Sequence, residues 1–188
     1  MKKTFSILLL LFVLIGCGEQ QKSLSDYESY HVKIAKEKFE ANNDEFTMLF
    51  PKGWFINEDP IDSDTVLYAM EGGTRDTNFV GFGIAKMNTI HGKTNDEFDK
   101  LLNKMTDRFS NVELIERSEM KIGNKNAQTA LLTYYDLDQH ALQEEIIIFV
   151  PLNDTQYYQM VLGCDRNEKT QHHLGLMIDC AKTFQLNK

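Results

Sequence analysis

Between residues 112 and 163 the chain carries four strand-like runs, Val112–Lys121, Ala127–Asp136, Leu142–Val150 and Gln156–Gly163, with connections too short to hold a helix. The connections contain Gly123-Asn124-Lys125-Asn126, Asp136-Leu137-Asp138 and Pro151-Leu152-Asn153-Asp154, the residue types that tight turns demand. Parallel neighbours need a crossover of about a dozen residues, so these runs can pair only antiparallel, as a meander. That one constraint decides most of the architecture.

Upstream the same period of two appears. Phe46, Met48 and Phe50 alternate with Thr47 and Leu49 before Pro51-Lys52-Gly53 interrupts and Trp54-Phe55-Ile56 resumes. Thr65–Met70 and Asn78–Met87 add two more runs, separated by Gly72-Gly73. Two segments switch to helical spacing. Thr94-Asn95-Asp96-Glu97 reads as a capping box, followed by the stripe Phe98, Leu101, Leu102, Met105 and Phe109. Thr170 opens the second, with Leu174, Met177, Ile178, Ala181 and Phe184 on one face. The spacing of Tyr27, Tyr30, Ile34 and Ala35 predicts a further helix over 27–39. Amphipathic helices must cover something, and the apolar face of the sheet is the partner available. The predicted fold class is α+β, a single-domain sandwich of mostly antiparallel sheet covered by helices.

The N-terminus carries an address. Met1-Lys2-Lys3 precedes an apolar run from Phe5 to Ile15, broken only by Ser6. Eleven helical residues span roughly 16 Å, about half the hydrocarbon thickness of a bilayer, so the run suits a secretory signal and not a membrane span. Leu14-Ile15-Gly16-Cys17 follows, and it resembles the lipobox of bacterial lipoproteins. In that family a diacylglycerol is attached to the cysteine thiol and the signal is cut just before it. The expected organisation is a signal peptide over 1–16, lipidated Cys17 with a polar tether over 17–25, and one domain over 26–188. The expected location is the cell membrane or outer membrane, lipid-anchored and facing the periplasm or exterior. Gly18, not Asp, stands second in the mature chain, which is compatible with transfer to an outer membrane.

The order of elements around Phe50-Pro51-Lys52-Gly53-Trp54 is similar to the PsbP-like superfamily, which includes the PsbP subunit of photosystem II and DcrB-type periplasmic lipoproteins. A helix over Thr94–Phe109, a hairpin turning at Gly123–Asn126, two more strands and a terminal helix complete the likeness over roughly residues 40–186. The resemblance implies an antiparallel sheet between helices and a non-enzymatic role as assembly factor, adaptor or binding subunit. It transfers no set of functional residues, and photosystem function is not implied.

Catalytic and metal signals are sparse. Twenty basic residues against twenty-eight acidic ones give a net charge of −8, which argues against nucleic acid as a partner. An export signal implies an oxidising compartment, so a Cys164–Cys180 disulfide and two buried free thiols both stay open. Bridging needs Cα atoms within roughly 7 Å, while Cys180 lies about 15 Å along its helix from Thr170, so the connection would have to fold back over the sheet. His172 and His173 point about 100° apart on a helix and cannot share one metal, and Glu168 with His172 makes only two ligands. Asp59-x-x-Asp62-x-Asp64 lacks the glycine and distal glutamate of a calcium loop. His31, His91 and His140 have no motif partner, and no nucleophile elbow or phosphate-binding loop occurs. Gly81 and Gly83 fall on one strand face and leave a flat strip. Glu144-Glu145 and Asp136/Asp138 read as solvated edge and turn charges.

The expected function is therefore a non-catalytic binding or assembly module, without cofactor or metal, anchored to the membrane and engaging a protein or envelope component. The rival classes are an envelope hydrolase with an unrecognised site and an immunity-type toxin inhibitor. Cys17→Ser is expected to abolish membrane association and leave a soluble, folded body. Fractionation after a high-salt wash checks this, and a serine variant that stays with the membranes would refute the lipobox assignment.

Overall fold

The computed structural model describes residues 22–41, 45–58, 65–71, 79–89 and 94–187. In chain order the elements are α1 (Leu24–Glu28), β1 (Lys36–Glu40), β2 (Phe46–Pro51), β3 (Phe55–Asn57), β4 (Thr65–Met70), β5 (Val80–Asn88) and α2 (Thr94–Arg108). The meander β6 (Ser110–Ile122), β7 (Lys125–Asp136), β8 (Ala141–Pro151) and β9 (Gln156–Asp165) follows, then α3 (Thr170–Ala181) and the short β10 (Gln185–Leu186). The class is α+β, as the sequence predicts.

Seven strands form one antiparallel sheet in the order β3-β4-β5-β9-β8-β7-β6, and β1-β2-β10 form a second, smaller one. The meander is the half of the large sheet that the short connections require. Its register runs Ile147 opposite Ala130 on β7 and opposite Val161 on β9. Because side chains alternate, this register sorts the strands into two faces. Ile146, Ile148 and Val150 point inward with Leu162, Met160 and Tyr158, while Ile147 and Phe149 point outward with Ala130 and Tyr157.

The inner face packs against α3 and the small sheet. Phe46 of β2 meets Tyr158 with ring centroids 5.6 Å apart and Phe184 at 5.0 Å, and Phe50 meets Phe82 at 5.5 Å. The outer face is covered at β7 and β8 by α2, whose Phe98 lies 4.8 Å from Phe149 and whose trailing Phe109 lies 4.2 Å from Tyr134. Leu101, Leu102 and Met105 complete that contact, the same stripe the helical spacing marks out. Phe98 and Phe149 are fully buried, and burying such a side chain contributes about 1.5–3 kcal/mol.

Three expectations are corrected. The helix expected over 27–39 does not form: α1 ends at Glu28, and Lys36–Glu40 pair with β2 from Pro51 back to Thr47. The stripe Tyr27, Tyr30, Ile34 fits a helix, but an edge position beside β2 offers Lys36–Glu40 a ladder that local propensity cannot see. The polar tether also ends sooner than residue 25, because Ser23 caps α1, its N–H donating to Asp26 Oδ2 at 2.8 Å, and Leu24 and Tyr27 are buried. Similarly, α3 stops at Ala181, and Phe184 reaches the core from the connection into β10. The segment 1–21, on which the expected signal peptide and lipidated Cys17 fall, lies outside the described residues.

Pro51-Lys52-Gly53-Trp54 forms a tight turn in which the Trp54 N–H donates to Pro51 O at 3.2 Å. Gly53 sits at φ +89°, where a side chain is strained, as the third position of a type II turn requires. The turn does not close a hairpin. It carries the chain from the small sheet (β2) to the edge of the large one (β3), and the indole of Trp54 packs into the core between them. Trp54→Ala is expected to cost about 3–5 kcal/mol, as other large core truncations do. Urea unfolding checks this, and an unchanged midpoint would place the indole outside the core.

Candidate functional site

β8 is an interior strand, yet it carries two adjacent carboxylates, and alternation sends them to opposite faces of the sheet. Glu144 is 6% exposed and Glu145 is 8% exposed. The expectation of solvated charges is therefore overturned for both: with β7 and β9 on either side, the start of β8 is not an edge. Asp136 and Asp138 do lie at a turn, where Asp136 Oδ1 accepts the N–H groups of Asp138 at 2.8 Å and Gln139 at 3.1 Å.

Burying a carboxylate is costly unless it is paired, and each of these has partners brought from a distance. On the inner face the Tyr27 hydroxyl donates to Glu144 Oε1, and Arg166 Nε lies 3.6 Å from Oε2. Burial, and then the hydrogen bond to Glu144, push the Tyr27 phenol far above its ordinary value. These groups lie in a cleft of about 420 Å³, where Lys22, Thr133, Leu142 and the first turn of α3 also contribute. Lys22 Nζ donates to Gln171 Oε1 at 2.7 Å across it. Local chain direction explains Arg166: its N–H donates to Leu142 O at 2.7 Å, which extends the β8–β9 pairing one residue beyond β9.

On the outer face the Tyr134 hydroxyl donates to Glu145 Oε2 at 2.8 Å. Burial pushes the Glu145 carboxyl up to about 7, against the opposing pull of Tyr134 and Arg108. Phe79 lies on the same strip: its ring and Glu145 Oε2 both come within 4 Å of where a Cβ on Gly163 would stand. Its N–H donates to Asp165 Oδ2 at 3.1 Å and its carbonyl accepts the Asp165 N–H at 3.0 Å, while Gln143 Nε2 donates to Asp165 Oδ1 at 2.6 Å. The Phe79 ring then lies across Gly81, where an added Cβ would meet Cζ at 2.4 Å, and beside Gly163. The glycine strip is thus half occupied by the chain's own aromatic ring; Gly83 faces open space.

The remaining sequence candidates are not drawn together. Cys164 and Cys180 are buried free thiols, so the disulfide left open by the sequence does not form in this structure. Burial, and then the Glu144 charge, raise the Cys164 thiol far above its ordinary value; burial pushes Cys180 up to about 12. His173 is buried with Nδ1 3.5 Å from Glu71 Oε2, and burial lowers its pKa against the pull of that carboxylate. His172 packs edge-on to Tyr30 and to His173. His31 contacts Asp179 at 3.3 Å, and His140 occupies the β7–β8 turn. Among the described residues no three His, Cys, Asp or Glu side chains group as metal ligands. Cys17, Asp59, Asp62, Asp64, Gly72, Gly73 and His91 lie outside the described residues.

Solved structures share this fold. Cyanobacterial PsbP (CyanoP) from Synechocystis sp. PCC 6803 superposes with a TM-score of 0.59 at 14% identity, over 85% of this chain and 96% of that one. The fold is PsbP-like. The Ran-binding protein Mog1p of Saccharomyces cerevisiae has it too, with a TM-score of 0.60 at 9% identity over 81% of this chain and 96% of that one. So does LpqN of Mycobacterium tuberculosis, described as involved in cell envelope biogenesis, with a TM-score of 0.56 at 9% identity over 90% of this chain and 99% of that one. No protein-family model and no curated protein matches the sequence. At such identities the likeness is one of fold.

Within the PsbP-like fold, Glu145 makes stability depend on pH. Its folded value lies above the ordinary 4.5, so between about pH 4.5 and 7 the folded state keeps a proton that the unfolded chain has released. Stability contributed by the protonated form is complete below pH 4.5 and is lost as pH rises to about 7. A shift of that size corresponds to about 3 kcal/mol. In Glu145→Gln the wild-type-minus-variant difference in unfolding free energy should fall by about that amount between pH 4 and 8. Urea titrations at both pH values check this, and a pH-independent difference would show that Glu145 titrates normally.

Proposed function

We propose that this chain is a membrane-anchored envelope lipoprotein whose folded body is a non-catalytic binding or assembly module for a protein or envelope component. The observation that carries this reading is how the buried reactive groups are used. Glu144 is engaged by Tyr27 and Arg166, Glu145 by Tyr134, and the thiols of Cys164 and Cys180 are held protonated by burial. Catalytic groups need the opposite, a free nucleophile or base facing a site that substrate can enter. The Leu14–Cys17 motif supports the anchor, and no helix among the described residues is long and apolar enough to cross a membrane. Mog1p and LpqN offer precedents for this fold in binding and in the envelope. An immunity-type inhibitor is a special case of the same binding class.

An envelope hydrolase remains the rival, and one observation speaks for it. A carboxyl held at about 7, as in Glu145, has the value a general base needs. Against it, that carboxyl is buried and engaged by the Tyr134 hydroxyl, with the Phe79 ring on the same strip beside Gly163. The purified body is expected to turn over no chromogenic ester, peptide, phosphate or glycoside substrate, with all five histidines replaceable by alanine without loss of cellular role. Turnover that vanishes in Glu145→Gln while the fold survives would overturn the binding-module reading.

A further inference from the structure

We infer that the end of the body carrying the β7–β8 turn and the Glu144 cleft faces the membrane surface, with Leu137 and Leu142 in contact with lipid. The inference rests on the proposed acylation of Cys17 and adds to it the orientation of the domain.

Chain length carries the argument. Five peptide steps separate Cys17 from Lys22, and fully extended they reach at most about 18 Å. Lys22 is held to the body by its bond to Gln171 at 2.7 Å, and it shares the wall of the cleft with Leu142. The anchor is therefore on a short leash that ends beside the start of β8. The far end of the same strand, Pro151, leads into the turn before β9, and eleven residues of strand cover about 33–36 Å. With that far turn against the bilayer, Lys22 would stand roughly 30 Å from the surface, beyond what the leash permits. Of the two ends, only the near one can stand against the bilayer.

The side chains agree with the geometry. Leu137 is 59% exposed and Leu142 is 40% exposed at the near end, whereas the far turn presents Asn153, Asp154 and Thr155. Asp136 and Asp138 accompany the leucines, and Lys22, Arg166 and Glu168 line the cleft. With both signs present, the contact does not depend on anionic lipid. Tethering holds the surface at high effective concentration, so two leucines need supply only a weak contact of their own.

The test uses the full-length acylated protein in phosphatidylcholine vesicles that contain a headgroup-linked quencher. A thiol-reactive fluorophore is placed at Leu137→Cys or at Asp154→Cys; Cys17 is blocked as a thioether, and Cys164 and Cys180 are buried. Emission at position 137 is expected to be quenched several-fold more than at 154, and shifted to the blue. Equal quenching, or more at 154, would overturn the orientation while the anchor stood. Vesicle flotation reports the anchor separately: protein that fails to float and carries no acyl mass would refute the lipoprotein reading, and this inference with it.

Discussion

The register of β8 between β7 and β9 is the constraint on which the rest of the structure depends. It places Ile146, Ile148 and Val150 against α3 and the small sheet, and Ile147 and Phe149 beneath α2. A slip of one residue would exchange the two faces and present every one of these side chains to the wrong partner. The sheet is buried on both sides at this strand, so neither face can yield to the other. The aromatic contacts of Phe46, Tyr158 and Phe184 inside, and of Phe98 and Phe149 outside, exist only in this register.

The same alternation forces a carboxylate to each face. Both are costly to bury, and the structure meets the cost differently. Glu144 recruits a phenol from α1 and a guanidinium from just beyond β9, so three separate parts of the chain converge on one residue. That convergence docks the N-terminal segment onto the body next to α3. Glu145 has a phenol from the neighbouring strand and a more distant arginine, which leaves its carboxyl titrating near neutrality. The first is a tie and the second a site of pH sensitivity, although the two residues are adjacent in sequence.

Fold and function separate here in a familiar way. The same fold occurs in a Ran-binding protein and in a protein of cell envelope biogenesis, so the architecture does not specify a partner. Specificity must come from what decorates the frame: the cleft beside Glu144, the exposed leucines at the β7–β8 turn, and the open face at Gly83.

Sequence alone determined the meander, because four strand-like runs with connections too short for a helix admit no other pairing. It determined both long helices through their apolar stripes, and it alone carries the Leu14–Cys17 motif on which the proposed anchor rests. Tertiary structure decided the rest. Whether 27–39 is helix or strand depended on the ladder that β2 offers to Lys36–Glu40. The fate of Glu144 and Glu145 was legible only once β8 had a neighbour on each side, though an acidic pair inside an apolar run was a signal that the strand order could have turned into burial. Whether Cys164 and Cys180 meet depended on how α3 lies over the sheet. Local propensity and period act through adjacent residues, whereas burial, pairing and pKa depend on groups that the fold brings together, as far apart in sequence as Tyr27 and Glu144.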